Sequence, residues 1–477
     1  MRKLIAVILA AALCLSLSSC RMHSPVYIDN REYDTGEYIK TSDGVSLEML
    51  NADYWIDDGD NKAVMNSAEI KEFNDANNKL ISSGSGGNIS LREVGDETGG
   101  VMVRELINSI PVPSYADEAY INGERVGPDY WEKLIEETNV DAIGEKVKVR
   151  FGFSTVRATL RLFPTNDYAN NESDDLFYDG LIMSDYMPFS PLAVLHESKN
   201  KEWFFVSMYG YSGWIEKTKV ALCESRADWL RRQDISDFLI VTGKELRLTD
   251  DPYATGLSGQ LLPMGTKLPL VKIDEAPEII RQRGLYGNYI VKLPIRQSNG
   301  IISDEYMLVP VNSDVSTGYL PYTRANVIRL AFKLLGDIYG WAGSFHSNDC
   351  SGIIREIFLC FGMEFPRVAN QQMKVSGLKY TDLAEMNDSE KIELLSDTPA
   401  GSFLYMSGHI MIYLGMDEGE PYVISSVGSI STAETNSGEF EQVNSVIVSS
   451  LLRTKRKTGT IWLTNISSLL VVEKEEK

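Results

Sequence analysis

The sequence predicts a multidomain α+β protein in which two small all-β barrels precede a C-terminal domain built from helices and strands. The chain has 477 residues, which is more than one hydrophobic core usually holds. From about residue 145, apolar residues alternate with a period of two in short runs. After about residue 319 they recur first at helical spacing and then in alternation, which predicts helices followed by strands.

The composition excludes several kinds of partner and site. The formal net charge of −21 argues against nucleic acid or an anionic membrane surface as an electrostatic partner. The five cysteines include no CxxC pair and there are only four histidines, so we expect no zinc site of the usual spacing and no multi-histidine metal centre. Cys350 and Cys360 lie about 15 Å apart on one predicted helix, which is too far for a disulfide bond.

Residues 1–19 have the features of a secretory signal peptide. Arg2 and Lys3 precede the apolar run LIAVILAAALCLSL, which is too short to indicate a membrane span. The run ends in LSSC at residues 17–20, which resembles the bacterial lipoprotein box. That resemblance implies cleavage before Cys20, a lipid on its thiol, and an extracytoplasmic protein anchored to a bacterial membrane. The alternative is an ordinary signal peptide that is cut at a nearby small residue.

Residues 20–144 are predicted to form a tether followed by a partly helical bracing segment. The stretch is polar, with ISSGSGGNIS at residues 81–90, and it contains no motif that indicates chemistry. SAEIKEFNDANNKLI at residues 67–81 and WEKLIEETN further on have helical patterns. We therefore expect this segment to support the domains that follow it.

Two consecutive all-β barrels are predicted over residues 145–222 and 223–318. In the first, KVKVRFGFSTVRATLRLFPT and EWFFVSMYGYSGWI supply short strands separated by turn residues. In the second, DFLIVTG, YGNYIVKLPIR and YMLVPV do the same. His196 lies in the first barrel, where we expect it to have a structural role.

The first barrel carries a more specific similarity. RATLRLFPT and PLAVLHESKNKEWFFVSMYGYSGWI resemble the bacterial SH3-like domains of cell-wall enzymes, and the second barrel is similar in kind. The resemblance implies that the first barrel forms one wall of a substrate site, to which Tyr209 or Tyr211 contributes. We expect Trp203 and Trp214 to belong to the barrel core.

The C-terminal domain, residues 319–477, is organised around the stretch YGWAGSFHSNDCSG. Cys350 follows Asn348 and Asp349, which are good helix N-caps, and it precedes the apolar run IIREIFLCFG. Cys350 should therefore lie in the first turn of a helix, whose positive end favours the thiolate. In GSFLYMSGHIMIYLG, His409 opens an apolar strand, and PYVISSVGSI, SVIVSSLLR and TIWLTNI predict later strands. A cysteine on a helix start and a histidine on a strand suit a catalytic Cys–His pair.

YGWAG, NDCSG and GHIMIYLG together resemble the NlpC family of cell-wall cysteine peptidases, whose core is papain-like. With the two barrels, the similarity points to the gamma-D-glutamyl-L-diamino-acid endopeptidases, which cut peptidoglycan stem peptides. The resemblance implies that Cys350 is the nucleophile and His409 the general base and acid. It implies substrate contacts by Tyr339, Trp341, Asp349 and Ser351. The expected partners are stem peptides or muropeptides, and no cofactor is expected.

Two departures from the family pattern bear on activity. Aligning PYVISSVG puts Ser425 where the family usually has a histidine that orients the base, and loss of an orienting group can cost orders of magnitude in rate. Val368 and Ala369 replace polar residues that bind the amino end of the substrate in some relatives. Two alternatives therefore stay open. One is a lipoprotein that binds stem peptides with weak or no turnover, and the other is an amidase or acyltransferase on the same core.

Overall fold

The computed structural model describes residues 38–83, 91, 93–254, 256–432 and 439–475. The predicted signal peptide and the predicted lipidation site at Cys20 lie outside the described residues. Residues 41–477 form one unit, and the stretch that ends at Lys40 is a separate one. Within the described part, no helix is long and apolar enough to cross a membrane.

The first part of the N-terminal segment packs against the C-terminal domain, whereas Val103, Leu106 and Ile143 pack against the first barrel. Its helices are Ser67–Ser83, Gly100–Asn108 and Pro128–Glu137, and its strands are Ala63–Met65, Glu97–Gly99, Tyr120–Ile121 and Glu124–Arg125. Phe73 contacts Phe365 with ring centroids 5.2 Å apart, and Trp55 contacts Tyr422 at 5.3 Å. These aromatic pairs join the segment to the core of the C-terminal domain.

The first barrel contains a seven-stranded antiparallel sheet. In sheet order its strands are Val220–Leu222, Arg150–Ser154, Pro191–Glu197, Trp203–Met208, Tyr211–Glu216, Ala158–Arg161 and Ile182–Tyr186. Side chains alternate across a strand, so Trp203, Phe205 and Trp214 enter one core, while Phe204 and Ile215 enter the other. The prediction that Trp203 and Trp214 are core residues is therefore confirmed.

The second β segment begins with a helix, so the predicted all-β unit starts later than residue 223. Helix Arg226–Gln233 is capped by Ser225, whose Oγ accepts the N–H of Asp228 at 3.1 Å. The strands follow at Phe238–Val241, Glu245–Arg247, Leu261–Pro263, Lys267–Pro269, Ile279–Ile280, Arg283–Gly284, Asn288–Arg296, Ile302–Pro310 and Val315–Thr317. They enclose a small aliphatic core of their own.

The C-terminal domain packs helices onto a six-stranded antiparallel sheet. In sheet order its strands are Leu378–Asp382, Ser468–Lys474, Phe403–Met406, His409–Asp417, Glu420–Ile430 and Glu441–Ser450. Its helices are Arg324–Phe332, Cys350–Leu359, Ala369–Gln372, Asp388–Ser396 and Trp462–Asn465. Helix Cys350–Leu359, called the Cys350 helix below, buries Ile353, Ile354 and Phe358 in the core shared with the sheet.

The strand predicted from TIWLTNI, residues 460–466, is wrong. Trp462–Asn465 is a single helical turn that buries two of its side chains, and the strand Ser468–Lys474 follows it into the sheet. An apolar run of this length does not distinguish a strand from a helical turn, because it is too short to show whether apolar residues recur with the period of a strand or of a helix.

Trp229 joins helix Arg226–Gln233 to the first barrel, and we expect its removal to destabilise the protein. Its buried ring lies 4.9 Å from that of Phe151, and its Nε1–H donates to the carbonyl oxygen of Gly152 at 3.1 Å. Trp229→Ala should lower the free energy of unfolding by about 3–5 kcal/mol, because a large cavity remains. Leu230→Ala, at the exposed next position, should change it by less than about 0.5 kcal/mol. Urea unfolding followed by circular dichroism measures both, and equal losses would contradict this packing.

Candidate active site

Cys350 is the first residue of its helix, as the sequence predicts. Asp349 is the N-cap, and its Oδ1 accepts the N–H of Gly352 at 2.9 Å. Cys350 is only 9% exposed, and the backbone N–H groups of Ile410 and Ser351 act to lower the pKa of its thiol. The thiol is therefore held between the start of a helix and the strand that begins with His409.

His409 is the first residue of its strand and contacts two further elements of the domain. Its Nε2 lies 3.0 Å from the Oγ of Ser425 on the neighbouring strand. Its ring contacts the indole of Trp462, with centroids 5.3 Å apart. The Cys350 helix packs against the strands that carry His409 and Ser425, so the predicted nucleophile, base and third residue lie in one region of the domain.

Burial dominates the protonation of this pair. Burial, together with the charge of Asp349, raises the pKa of the Cys350 thiol to about 12. Burial and the nearby cation of Arg456 lower the pKa of His409 to about 4. The resting site therefore holds a neutral thiol and a neutral imidazole. The helix start favours the thiolate, but desolvation by burial raises the pKa of the thiol by more.

Both carboxylate oxygens of Asp349 already accept hydrogen bonds. Arg367 donates to them from Nη1 and Nη2, at 2.8 Å each. Oδ1 also accepts from Ser351 Oγ at 3.0 Å, and Oδ2 accepts from the N–H of Ala342 at 3.2 Å. Burial would raise the pKa of Asp349, but Arg367 and these donors lower it by more. Asp349 is thus ionised and fully paired, and a substrate amine would have to share its oxygens.

Buried charged residues that no motif indicated surround Asp349. Arg157 and Asp185 belong to the first barrel, and Arg157 Nη2 lies 2.8 Å from Asp185 Oδ2. Arg367 Nε lies 3.4 Å from Asp185 Oδ1, so the network runs from the barrel to Asp349. Glu356 of the Cys350 helix lies 3.1 Å from Arg157 Nη1. The run PRVANQQ contains Arg367, but the sequence carries no local pattern that would pair it with the barrel.

An aromatic cluster lies beside the Cys350 loop, residues 340–349. Tyr339 is buried, Trp341 is 39% exposed, and Tyr178 of the first barrel contacts both rings with centroids 5.9 Å and 5.6 Å apart. Burial, with the charge of Asp349, raises the pKa of Tyr339. The two predicted pocket residues are therefore close together, and Tyr178 joins them from the barrel.

The two candidate tyrosines of the first barrel are both half-buried and enter different surroundings. Tyr211 packs against one barrel core and interacts electrostatically with Arg367 and Tyr186. Tyr209 packs against the other core and lines a cavity of about 1000 Å³ that Arg367 also borders. Both tyrosines therefore belong to the part of the barrel that adjoins Arg367.

His196, Cys223 and Cys360 show no sign of a second reactive site. Among the described residues, no group of histidine, cysteine, aspartate and glutamate side chains could hold a metal ion. His196 Nε2 bonds to the carbonyl oxygen of Asn139 at 3.0 Å, in keeping with a structural role. In the same described part, Cys223, Cys350 and Cys360 are free thiols.

Comparisons with known proteins agree with this architecture. The sequence profile of the NlpC/P60 family matches residues 336–447, and that of the SH3 domain (SH3b1 type) matches residues 167–216. The C-terminal domain is therefore an NlpC/P60 domain, and the first barrel contains an SH3b domain. The second SH3-like barrel stays a prediction. A search of curated protein sequences found no match.

Solved structures show the same fold. An NlpC/P60 endopeptidase from Photobacterium damselae subsp. piscicida is similar over 89% of this chain and 98% of its own, with 16% identity and a TM-score of 0.69. An NlpC/P60 family protein from Bacillus cereus ATCC 10987 covers 67% of this chain and 98% of its own, with 17% identity and a TM-score of 0.45. The first similarity carries the assignment of the fold, since the second score is too low to support it.

The neutral resting pair predicts the pH dependence of chemistry at Cys350. The pKa of His409 is lowered from its ordinary value of 6.5 to about 4, so His409 remains an unprotonated base at pH values well below 6.5. We expect the acid limb of kcat/KM to lie near pH 4. The unfolded chain binds this proton first as the pH falls, so the free energy of unfolding should decrease from about pH 6.5 towards pH 4.

Two measurements check this prediction. A pH profile of kcat/KM on a soluble peptide locates the acid limb, and ultraviolet absorbance detects a thiolate. An absorbance at neutral pH that disappears in Cys350→Ala would contradict the neutral pair, as would an acid limb near pH 6.5.

Proposed function

We propose that this chain, whose C-terminal part is an NlpC/P60 domain, is a cysteine endopeptidase that hydrolyses peptidoglycan stem peptides at the gamma-D-glutamyl-L-diamino-acid bond. The observation that supports it best is the 3.0 Å distance between His409 Nε2 and Ser425 Oγ, on two strands against which the Cys350 helix packs. A thiol, an imidazole and an orienting hydroxyl in this order suit nucleophilic catalysis.

The proposed reaction starts from the neutral pair. With Nε2–H donating to Ser425, the lone pair of His409 lies on Nδ1, which accepts the thiol proton as Cys350 Sγ attacks the carbonyl carbon. The backbone N–H of Cys350, at the positive end of its helix, would stabilise the oxyanion. The imidazolium then protonates the leaving amine, and the acyl group stays on sulfur as a thioester. Water, deprotonated by His409, releases the acid and restores the thiol.

Substrate contacts are proposed on both walls of the site. The residues are Tyr339, Trp341, Asp349 and Ser351 of the C-terminal domain, and Tyr209 or Tyr211 of the first barrel. Ser351 Oγ lies 3.0 Å from both Asp349 Oδ1 and Arg367 Nη1, so it can exchange these partners for peptide groups. Val368 is the N-cap of a one-turn helix and Ala369 is its first residue. Neither has a polar side chain that could bind the amino group of a substrate, so the proposal does not include a required free amino terminus.

The proposal includes an extracytoplasmic location and a lipid anchor at Cys20. The support is the sequence alone, namely the apolar run after Arg2 and Lys3 and the LSSC residues that end it. A peptidase on the outer side of a bacterial membrane would meet stem peptides or muropeptides there.

One alternative has a specific observation in its favour. Ser425 is neutral, so it can orient His409 but cannot stabilise the imidazolium with an opposite charge, and burial lowers the pKa of His409. A site of this kind could bind a stem peptide and turn it over slowly or not at all. A peptide-binding lipoprotein is therefore the second candidate function.

Hydrolysis of a defined peptide separates the two functions. We expect residues 21–477 to release the diamino-acid fragment from L-Ala-gamma-D-Glu-diamino-acid peptides, as detected by mass spectrometry. Cys350→Ala should lower kcat by roughly 10⁴-fold or more, because it removes the nucleophile. Cys223→Ala, which removes a free thiol outside the site, should retain the wild-type rate. If wild type and Cys350→Ala bind the peptide and are equally inert, the binding function is correct.

Removal of the Ser425 hydroxyl tests its orienting role. Ser425→Ala loses one hydrogen bond to His409, so kcat should fall about tenfold, which corresponds to about 1.4 kcal/mol, with little change in KM. Ser449 provides a matched control, because it is a buried serine of the adjacent strand whose hydroxyl has no partner among the described residues. Steady-state kinetics of Ser425→Ala and Ser449→Ala measure the two values of kcat. An equal loss of kcat in both variants would contradict an orienting role of Ser425.

A further inference from the structure

Arg157 is a buried residue of the first barrel whose guanidinium reaches the Cys350 loop. Its Nε donates to Asp185 Oδ2 at 2.9 Å within the barrel. Nη1 donates to the carbonyl oxygen of His346 at 3.3 Å, and Nη2 donates to that of Ser347 at 2.8 Å. Nη2 also donates to Asn348 Oδ1 at 2.9 Å. One side chain of the barrel therefore binds three successive residues that end just before Asp349 and Cys350.

The Cys350 loop has a backbone that needs external support. Ala342, Phe345 and His346 have φ values of +49°, +60° and +55°, in the left-handed region that residues with a Cβ rarely adopt. Gly343, at φ +90°, lies so close to Asp185 that a Cβ would be 2.1 Å from the Asp185 Cβ. The barrel thus presses against the loop through Asp185 and binds its carbonyl groups through Arg157.

The loop transmits this contact to Cys350 through Asn348. The Nδ2 of Asn348 donates to Glu356 Oε2 at 2.7 Å, and Arg157 Nη1 lies 3.1 Å from Glu356 Oε1. The carbonyl oxygen of Asn348 accepts from Ser426 Oγ at 2.8 Å. Asn348 is therefore fixed to the barrel, to the Cys350 helix and to the strand that carries Ser425, two residues ahead of the nucleophile.

We propose that Arg157 is a positioning residue for the reaction, which holds the Cys350 loop so that the thiol and the backbone N–H of Cys350 face the bond to be cleaved. The inference rests on the proposed function for its kinetic consequence. The polar contacts of Arg157 are with Asp185, Glu356 and the loop, not with Cys350 or His409, so it acts through Asn348 and the loop. The first barrel is on this view part of the catalytic apparatus as well as a wall for the substrate.

The test compares the buried Arg157 with the half-buried Arg281 in the full chain. Arg281 of the second β segment is the matched control, because it also pairs with two carboxylates, those of Asp251 and Glu305, and bonds to a backbone carbonyl, yet has no contact with the Cys350 loop. Arg157→Gln should lower kcat about 10²-fold with KM changed less than about threefold, since misplacement affects the reacting atoms. Arg281→Gln should leave both constants near wild type. The urea midpoint of each variant measures its loss of stability separately.

A second readout does not depend on peptide hydrolysis. Native-state alkylation by iodoacetamide, resolved by peptide mass spectrometry, gives the rate at Cys350 relative to Cys223. Cys350 is buried under the loop, so Arg157→Gln should raise this ratio at least about fivefold through local opening, while Arg281→Gln should not. If the wild type cleaves no stem peptide, the proposed function fails, and the alkylation ratio still decides whether Arg157 holds the loop.

Arg157→Lys provides a conservative variant that keeps a cation in the buried cluster. An ammonium can pair with Asp185 or Glu356 but lacks the planar fork that binds the loop and Asn348 together. Compared with Arg157→Gln, Arg157→Lys should therefore recover more of the wild-type stability than of the wild-type kcat. This variant supplies the measurement if Arg157→Gln does not fold. The proposal is overturned if the Arg157 variants keep wild-type kcat and alkylation ratio, or if Arg281→Gln matches their kinetic loss.

Discussion

The architecture of the site depends on buried ion pairs between the first barrel and the residues next to Cys350. Arg157 and Asp185 form the barrel side, and Arg367 and Asp349 form the other side. Buried ion pairs add little net stability, because the cost of desolvating the charges offsets their attraction, but leaving one partner unpaired is strongly unfavourable. These buried ion pairs therefore favour the one arrangement of the first barrel and the C-terminal domain in which every charge is paired. The position of the thiol is in this way tied to a domain more than 150 residues earlier in the chain.

The same burial sets the protonation of the reacting groups. Asp349 acts on both of them, since its charge raises the pKa of the Cys350 thiol and also raises that of His409 against the larger effect of burial. It opposes formation of the thiolate and supports formation of the imidazolium. Arg367, bonded to both oxygens of Asp349, moderates the two effects. The neutral hydroxyl of Ser425 lies 3.0 Å from His409 Nε2, and the negative charge near the imidazole belongs to Asp349, which acts to raise the pKa of His409.

The parts of the site that depend on neighbouring residues could be predicted from the sequence, and the parts that depend on distant ones could not. The N-cap before Cys350, the strand that starts at His409 and the position of Ser425 on the next strand all follow from patterns within a few residues. The main β-strands of both barrel segments and the bracing helix at residues 67–81 were predictable for the same reason. The pairing of Arg157 with the Cys350 loop joins residues about 190 positions apart, and no local period encodes it. Burial was equally invisible, so the sequence suggested a thiolate where the folded site holds a thiol.

The charge balance of the cluster bears on how a substrate is recognised. Arg157, Arg355 and Arg367 lie near Asp185, Asp349 and Glu356, so the cluster contains side chains of both signs. Burial raises the pKa of Glu356, which favours its neutral form. A cluster of mixed sign carries little of the strongly acidic character of the whole chain. On the proposed function, recognition comes from directional hydrogen bonds made by groups that can exchange partners, of which Ser351 is one. The aromatic faces of Tyr178 and Trp341 add contact area without charge. Discrimination between stem peptides should therefore depend on shape and hydrogen-bond geometry more than on the net charge of the peptide.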